Sequence, residues 1–166
     1  DIKGFSNEMS HHIKNITLST QRSNVSGYEL IDIVEKYNVI MSKVSAEHAG
    51  QPDKNGQMKV ISIIEILEPK VVCTETYLVI GSFDEISQAN NLVSYMKTKF
   101  FRFLLQQSLY SQNISKDRFQ FIPKESWTEE WNDEKLYQKY SLTDEEISFI
   151  ESMIKPIEVG GDGNGN

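Results

Sequence analysis

Two carboxylates and a lysine form a pattern in this sequence that suits metal-dependent chemistry. Pro52-Asp53 is followed by Glu68-Pro69-Lys70, the order of the PD…ExK pattern found in many nucleases. That chemistry uses two carboxylates on adjacent strands to hold Mg²⁺, with a lysine beside them to position the attacking water. Here Asp53 lies in a glycine-containing loop, and Pro69 would remove a hydrogen-bond donor from a continuing strand. A Mg²⁺-dependent nuclease is therefore an alternative interpretation.

The three histidines are not spaced as metal ligands. His11 and His12 are adjacent, so their side chains would point apart in a strand. His48 has no Cys or His neighbour at ligand spacing. The sequence also has no GxSxG turn and no phosphate-binding glycine loop. We therefore predict no catalytic residue and no metal ligand in this chain.

A polar segment, residues 44–57, carries side chains suited to reading DNA. Its sequence, VSAEHAGQPDKNGQ, contains two glycines and a proline and has no apolar period, which predicts an exposed loop. Gln, Asn and Lys side chains match the donors and acceptors of base edges in the major groove. A solvated connection of no special function has the same composition. The candidates for DNA contact in and beside this loop are Ser42, Lys43, His48, Gln51, Lys54, Asn55 and Gln57.

Four further basic residues are candidates for phosphate contacts. Lys97 and Arg102 belong to a run, residues 95–104, in which three cations lie among three phenylalanines. Lys116 and Arg118 follow the same run. Lys and Arg are the usual phosphate partners of proteins that bind DNA. For Lys97 and Arg102, ordinary solvation of a helix surface explains the charge equally well.

The charge of the chain is distributed unevenly. Its net charge is −7, yet residues 1–124 carry 14 Lys and Arg against 13 Asp and Glu. Residues 125–166 carry 3 against 11. Proteins that bind DNA alone usually have a clearer basic footprint. A DNA-binding role would therefore need a partner domain to supply most phosphate contacts.

Hydrophobic periodicity predicts an α+β fold, a small mixed sheet packed against a long helix, with a helical C-terminal subregion. The predicted divisions are a polar N-terminal segment (1–26), an α+β core (27–124), an acidic helical subregion of the same domain (125–158) and a flexible tail (159–166). The predicted strands are 38–43, 58–67, 71–80 and 119–122. The predicted helices lie within 28–37, within 84–104 after a cap at Asp84, after a cap at Asp133, and after a capping box formed by Thr143 and Glu146.

The single cysteine and the apolar runs set the expected environment. Cys73 has no partner for an internal disulfide, which favours a reducing cytoplasm. No apolar run approaches the roughly 18–20 residues of a membrane span. The chain begins at Asp1, without a methionine and in the middle of a sequence pattern, so we expect a fragment of a larger protein.

Four segments follow one another in an order typical of one family: CTETYLVIG (73–81), SYMKTKFFRFLL (94–105), FIPKESW (121–127) and LYQKYSLTDEEISFIESMIKP (136–156). This order resembles the C-terminal part of adenine-specific DNA methyltransferases from bacterial restriction-modification systems, the part that carries target recognition. The resemblance covers residues 36–157 and is densest over 73–157. Some members of such systems are also fused to a nuclease.

The resemblance implies a recognition role without catalysis. The family binds S-adenosylmethionine through a glycine-containing strand–turn and holds the target adenine with a motif that has two adjacent prolines. The four prolines of this chain, Pro52, Pro69, Pro123 and Pro156, are all isolated, and both motifs are missing. We therefore expect no enzyme activity and no cofactor in this fragment, with S-adenosylmethionine bound by the full-length protein. The expected partners are double-stranded DNA and an upstream methyltransferase domain of the same polypeptide, with no membrane. The other alternative is a non-catalytic protein-interaction domain, suggested by the acidic C-terminal third.

Overall fold

The computed structural model describes residues 33–47, 51–109 and 111–157. The predicted polar segment 1–26, which includes His11 and His12, lies outside these residues, as do half of the predicted helix 28–37 and the predicted tail 159–166. Within the described ranges, no helix has both the length and the apolar character needed to cross a lipid bilayer.

A three-stranded sheet carries the fold, with β1 (Tyr37–Ser42) between β2 (Ile64–Leu67) and β3 (Tyr77–Phe83). Both pairings are antiparallel, and the β1–β3 register shifts between Val39 and Ile40. Residues 38–41 of the central strand β1 are all buried, whereas the two outer strands are partly exposed. The sheet and the helices packed on it confirm the predicted α+β class, and the sheet is antiparallel where a mixed one was predicted.

Three strand predictions differ from the structure for identifiable reasons. The strand predicted at 71–80 begins only at Tyr77, because a turn precedes it in which the Tyr77 N–H donates to the Thr74 carbonyl at 3.2 Å, and it continues to Phe83. The strand predicted at 58–67 is ordered as a strand only at Ile64–Leu67, because Val60 has a φ of 71°, which an extended strand does not allow. The strand predicted at 119–122 is wrong. A 3₁₀ helix covers Lys116–Phe119, and the Ile122 N–H donates to the Phe119 carbonyl at 3.0 Å. The turn lets Phe119 and Ile122 pack on the same core, whereas a strand would point them to opposite faces.

Thr98 divides the predicted long helix into α1 (Ile86–Lys97) and α2 (Lys99–Gln107). Its ψ of 151° is extended, so it ends one helix and begins the next. The Thr98 hydroxyl donates to the Tyr95 carbonyl at 2.7 Å and accepts from the Phe101 N–H at 3.1 Å. One buried side chain thus satisfies backbone groups of both helix ends. Asp84 does not cap α1, which begins after Glu85 without a side-chain cap.

The C-terminal part of the chain forms α3 (Asp133–Lys139) and α4 (Asp144–Met153). The predicted capping box of Thr143 and Glu146 is confirmed at the start of α4. The cap predicted at Asp133 belongs to Asn132, whose side chain accepts from the Lys135 N–H at 2.9 Å. The Asp133 carboxylate instead accepts the backbone N–H groups of Lys99 and Phe100, at 3.0 and 2.9 Å. It therefore stabilises the N-terminus of α2 from another element.

The apolar faces of these elements meet in one buried cluster. α1 packs on β1 and β3, and α2 packs against α3 and α4. The C-terminal part supplies buried side chains to the same cluster, including Trp131, Leu136, Ile150 and Ile154. Phe149 is 56% exposed because the buried side of α4 runs through Ile150.

Two tyrosines in the core, Tyr95 and Tyr137, and one at the surface, Tyr140, should make the fold sensitive to alkaline pH. Burial raises the pKa of Tyr95, Tyr137 and Tyr140 above the ordinary value near 10, that of Tyr140 to about 12, where a hydrogen bond to Glu125 adds to the effect. A group whose pKa is raised by folding contributes stability below its unfolded pKa and loses it as pH rises through the folded pKa. We therefore expect the free energy of unfolding to fall above about pH 10. Phenolate absorbance and circular dichroism followed together through a pH titration would check this. Ionisation of all tyrosines near pH 10 in a chain that stays folded would contradict it.

Candidate nucleic-acid interface

Hydrogen bonds join the segment after β1 to the segment after α2. The Ile114 N–H donates to the Lys43 carbonyl at 2.6 Å, and the Ser45 N–H donates to the Gln112 carbonyl at 2.8 Å. The Gln112 amide also reaches the Glu47 carbonyl, at 3.4 Å. We call residues 42–47, 51–60 and 111–118 the loop edge. The Ala46 N–H donates to the Val60 carbonyl at 3.1 Å, so segment 51–60 is also joined to segment 42–47 and the three form one border of the molecule.

The other end of the loop edge is tied to the end of α4. The Met58 N–H donates to the Met153 carbonyl at 2.8 Å, and the Lys155 N–H returns to the Met58 carbonyl at 2.9 Å. Next to this bridge, Val60 is fully buried in its unusual positive-φ conformation. Its N–H donates to the Glu47 carboxylate at 3.0 Å, which helps to hold a conformation that a β-branched residue rarely adopts.

The structure brings most of the predicted DNA-binding residues together on this edge. Lys97 lies elsewhere, at the exposed end of α1. His48 lies outside the described residues. The sequence did not single out Gln112 and Asn113, although the polar run SQNIS at 111–115 is the signal that could have found them. The predicted residues present on the loop edge are Ser42, Lys43, Gln51, Lys54, Asn55, Gln57, Lys116 and Arg118.

The carboxylates of the loop edge are occupied by internal contacts. Glu47 accepts the backbone N–H groups of Lys59 and Val60. The Asp53 carboxylate forms an ion pair with Lys155 at 2.6 Å, and it accepts hydrogen bonds from the backbone N–H groups of Asn55 and Gln57. The hydrogen bond from Lys155, with those from the backbone, lowers the pKa of Asp53 to about 2. The Asp53 carboxylate therefore stays charged at neutral pH, and Lys155 balances much of its charge.

The lysines of the same edge are in the opposite situation. Among the described residues, Lys43, Lys54 and Lys116 form no ion pair. Over its three segments the loop edge carries five Lys and Arg against three Asp and Glu, in a chain whose net charge is −7. With the acids held internally, the unpaired ammonium groups make this border positive.

Arg102 has a different role from the one that the sequence suggested. It is 1% exposed, and its Nη1 donates to the carbonyls of Lys155 and Lys59 at 2.7 and 3.2 Å. Its Nε donates to the carbonyls of Lys97 and Thr98 at 3.1 and 3.2 Å. Burial lowers the pKa of Arg102 to about 10, which still leaves it charged at neutral pH. The prediction of a phosphate contact at Arg102 is therefore wrong, because its side chain is enclosed and occupied by backbone carbonyls.

The residues of the nuclease pattern are engaged in unrelated contacts. Asp53 is held in its turn by the contacts above, and Lys70 lies 3.8 Å from the Glu35 carboxylate in an exposed ion pair. Glu68 is exposed, and its carbonyl closes a turn by accepting from the Val71 N–H at 3.1 Å. Across the part of the chain that the structure describes, no three His, Cys, Asp or Glu side chains cluster in a way that could hold a metal ion. These contacts give the nuclease interpretation no support.

Comparisons of the chain with protein-family models, with curated proteins and with solved structures gave no match. The function is therefore inferred from the residues of the chain and their contacts.

Proposed function

We propose that this chain is a DNA target-recognition unit that serves an adenine-specific methyltransferase of a restriction-modification system. The observation that carries the proposal is the charge arrangement of the loop edge. Asp53 pairs with Lys155 and Glu47 accepts backbone N–H groups, whereas Lys43, Lys54 and Lys116 form no ion pair with another described residue. The order of segments that resembles the family supplies the link to methylation. In this proposal the chain selects the site, and a separate catalytic domain binds S-adenosylmethionine and transfers the methyl group.

The side chains of the loop edge divide naturally between two tasks. The lysines suit phosphates, whose contacts fix the position of a protein on a duplex. The amides of Gln51, Asn55 and Gln57 lie in the same stretch of chain as Lys54 and suit base edges, since an amide offers a donor and an acceptor side by side. Because the basic set is small, we expect the isolated chain to bind duplex DNA weakly, in the range of roughly 0.1 mM to micromolar that non-specific binding has.

Reversing two of the unpaired charges should weaken this binding. For the double variant Lys43→Glu, Lys54→Glu we expect a lower affinity for duplex DNA at every salt concentration. The slope of log affinity against log salt should fall by about one unit for each phosphate that the variant no longer neutralises. Fluorescence anisotropy with a labelled duplex across a salt series measures both quantities.

Lys135→Glu is the matched control. It makes the same charge change at an exposed lysine that lies outside the loop edge and is not among the candidates for DNA contact. Lys97 does not serve here because a phosphate contact at Lys97 stays a prediction. The slope for Lys135→Glu should stay close to that of the parent chain. If Lys135→Glu weakens binding as much as each loop-edge reversal does, or if the double variant binds as the parent does, DNA is not bound at the loop edge.

A further inference from the structure

An aromatic cleft of about 640 Å³ lies beside β3. It is lined by residues 79–83 of β3, by Leu92 and Tyr95 of α1, and by side chains of the segment 119–127 that include Phe119 and Trp127. The volume lies within the range of roughly 300–1,000 Å³ typical of small-molecule sites. The loop-edge proposal makes no use of this space.

The rings that line the cleft are arranged edge to face or tilted. The ring centroid of Trp127 lies 6.4 Å from that of Phe83 and 5.8 Å from that of Tyr95. Phe83, Phe119 and Trp127 are only half-buried, so they still present apolar surface to the cleft. The Tyr95 hydroxyl is already bonded to the Pro123 carbonyl at 2.7 Å, so it adds no free polar group to the lining. A flat aromatic guest suits these walls because aromatic rings pack against one another in offset and edge-to-face arrangements.

Two lysines complete the lining. Lys116 and Lys124 are at least partly exposed, and neither forms an ion pair with another described residue. Lys116 lines the cleft while it stays exposed to water, and partial burial lowers its pKa. An apolar aromatic wall with two unpaired cations at its border complements a guest that joins a flat ring to an anion.

We propose that this cleft takes the base of an unpaired nucleotide, with the nucleotide's phosphate on Lys116 and Lys124. The inference rests on the proposed function and deepens it, since Lys116 belongs to both the loop edge and the cleft. A strand that crosses the loop edge is thereby led to the mouth of the cleft. Stacking on aromatic side chains combined with cationic contacts to the backbone is the usual way in which proteins hold single-stranded nucleic acid.

The cleft can be tested with mononucleotides, which contain no duplex. Deoxyadenosine 5′-monophosphate titrated into the full chain should quench tryptophan fluorescence, because Trp127 lines the cleft. Ribose 5-phosphate, which has the phosphate but no base, should bind much more weakly. Lys124→Glu should weaken nucleotide binding about tenfold, the effect expected of one charge-assisted hydrogen bond. Lys135→Glu, the matched charge change outside both surfaces, should leave nucleotide binding unchanged.

Each alternative occupant predicts a different result. Equal binding of ribose 5-phosphate would show a plain anion site, and tighter binding of octanoate would show a site for aliphatic acids, so either result overturns the inference. Absence of binding by every probe overturns it as well. Duplex binding is measured in parallel with the loop-edge variants. Failure of the nucleotide titrations while Lys43→Glu, Lys54→Glu still weakens duplex binding removes the cleft alone and leaves the proposed function standing.

Discussion

Replacing Arg102 with methionine should lower the free energy of unfolding by about 2–4 kcal/mol. Two effects oppose each other in this variant. Methionine removes the cost of burying a guanidinium group, which favours the variant. It also leaves the carbonyls of Lys59 and Lys155 without their donor beside a side chain that is 1% exposed. We expect the second effect to dominate, because each unsatisfied buried acceptor costs roughly 1–3 kcal/mol.

Urea denaturation monitored by circular dichroism measures this loss of stability. The free energy of unfolding of Arg102→Lys should lie between that of the parent chain and that of Arg102→Met. A single ammonium group keeps the charge, but it cannot reach carbonyls on both sides as the planar guanidinium does. Lys97→Met is the control, an exposed residue in the same region, for which a change within about 0.5 kcal/mol is expected. If Arg102→Met is as stable as the parent chain, the four carbonyl contacts do not hold the fold together.

Ile154→Ala should lower the free energy of unfolding by about 2–5 kcal/mol, the range for truncating a fully buried aliphatic side chain. Ile154 is 0% exposed, follows α4 directly, and forms the bridge to Met58 that ties the loop edge to the C-terminal part. The cost combines the buried apolar area that is removed with the cavity that remains. The midpoint of thermal unfolding and the urea midpoint should both fall.

Phe149→Ala provides the contrast within the same helix. It removes a larger side chain, but that side chain is 56% exposed. Its ring meets the ring of Phe103 edge to face, with the two centroids 5.9 Å apart. We expect a destabilisation of about 1 kcal/mol. A greater destabilisation by Phe149→Ala than by Ile154→Ala would mean that α4 is rotated relative to the core.

The sequence predicts the α+β class and the capping box of α4 because both depend on local patterns. The sequence also has a signal for the break between α1 and α2, because threonine is a favoured N-cap. The apolar stripe continues through residues 86–104, and a continuous apolar pattern predicts one unbroken helix. A single hydroxyl can still end one helix and begin the next when it forms hydrogen bonds at both helix ends. Thr98 does so here.

The partners of the charged residues could not be predicted from the sequence. Arg102 contacts carbonyls 43 and 53 residues away, and nothing near it in the chain distinguishes it from Lys97. The same holds for Asp53, whose ion pair with Lys155 spans most of the described chain. Composition indicated which residues suit DNA, whereas only the fold decides which of them remain unpaired at the surface.

The two anchors of the loop edge also have a thermodynamic consequence. The bonds from Ser45 and Ile114 hold one side, and the bridge between Met58 and Met153 holds the other. Ordering a residue that is free before binding costs roughly 1–2 kcal/mol of backbone entropy. Residues already fixed by these anchors do not incur that cost again when a partner arrives. A few charge contacts therefore yield more net affinity here than the same lysines would on an unanchored loop.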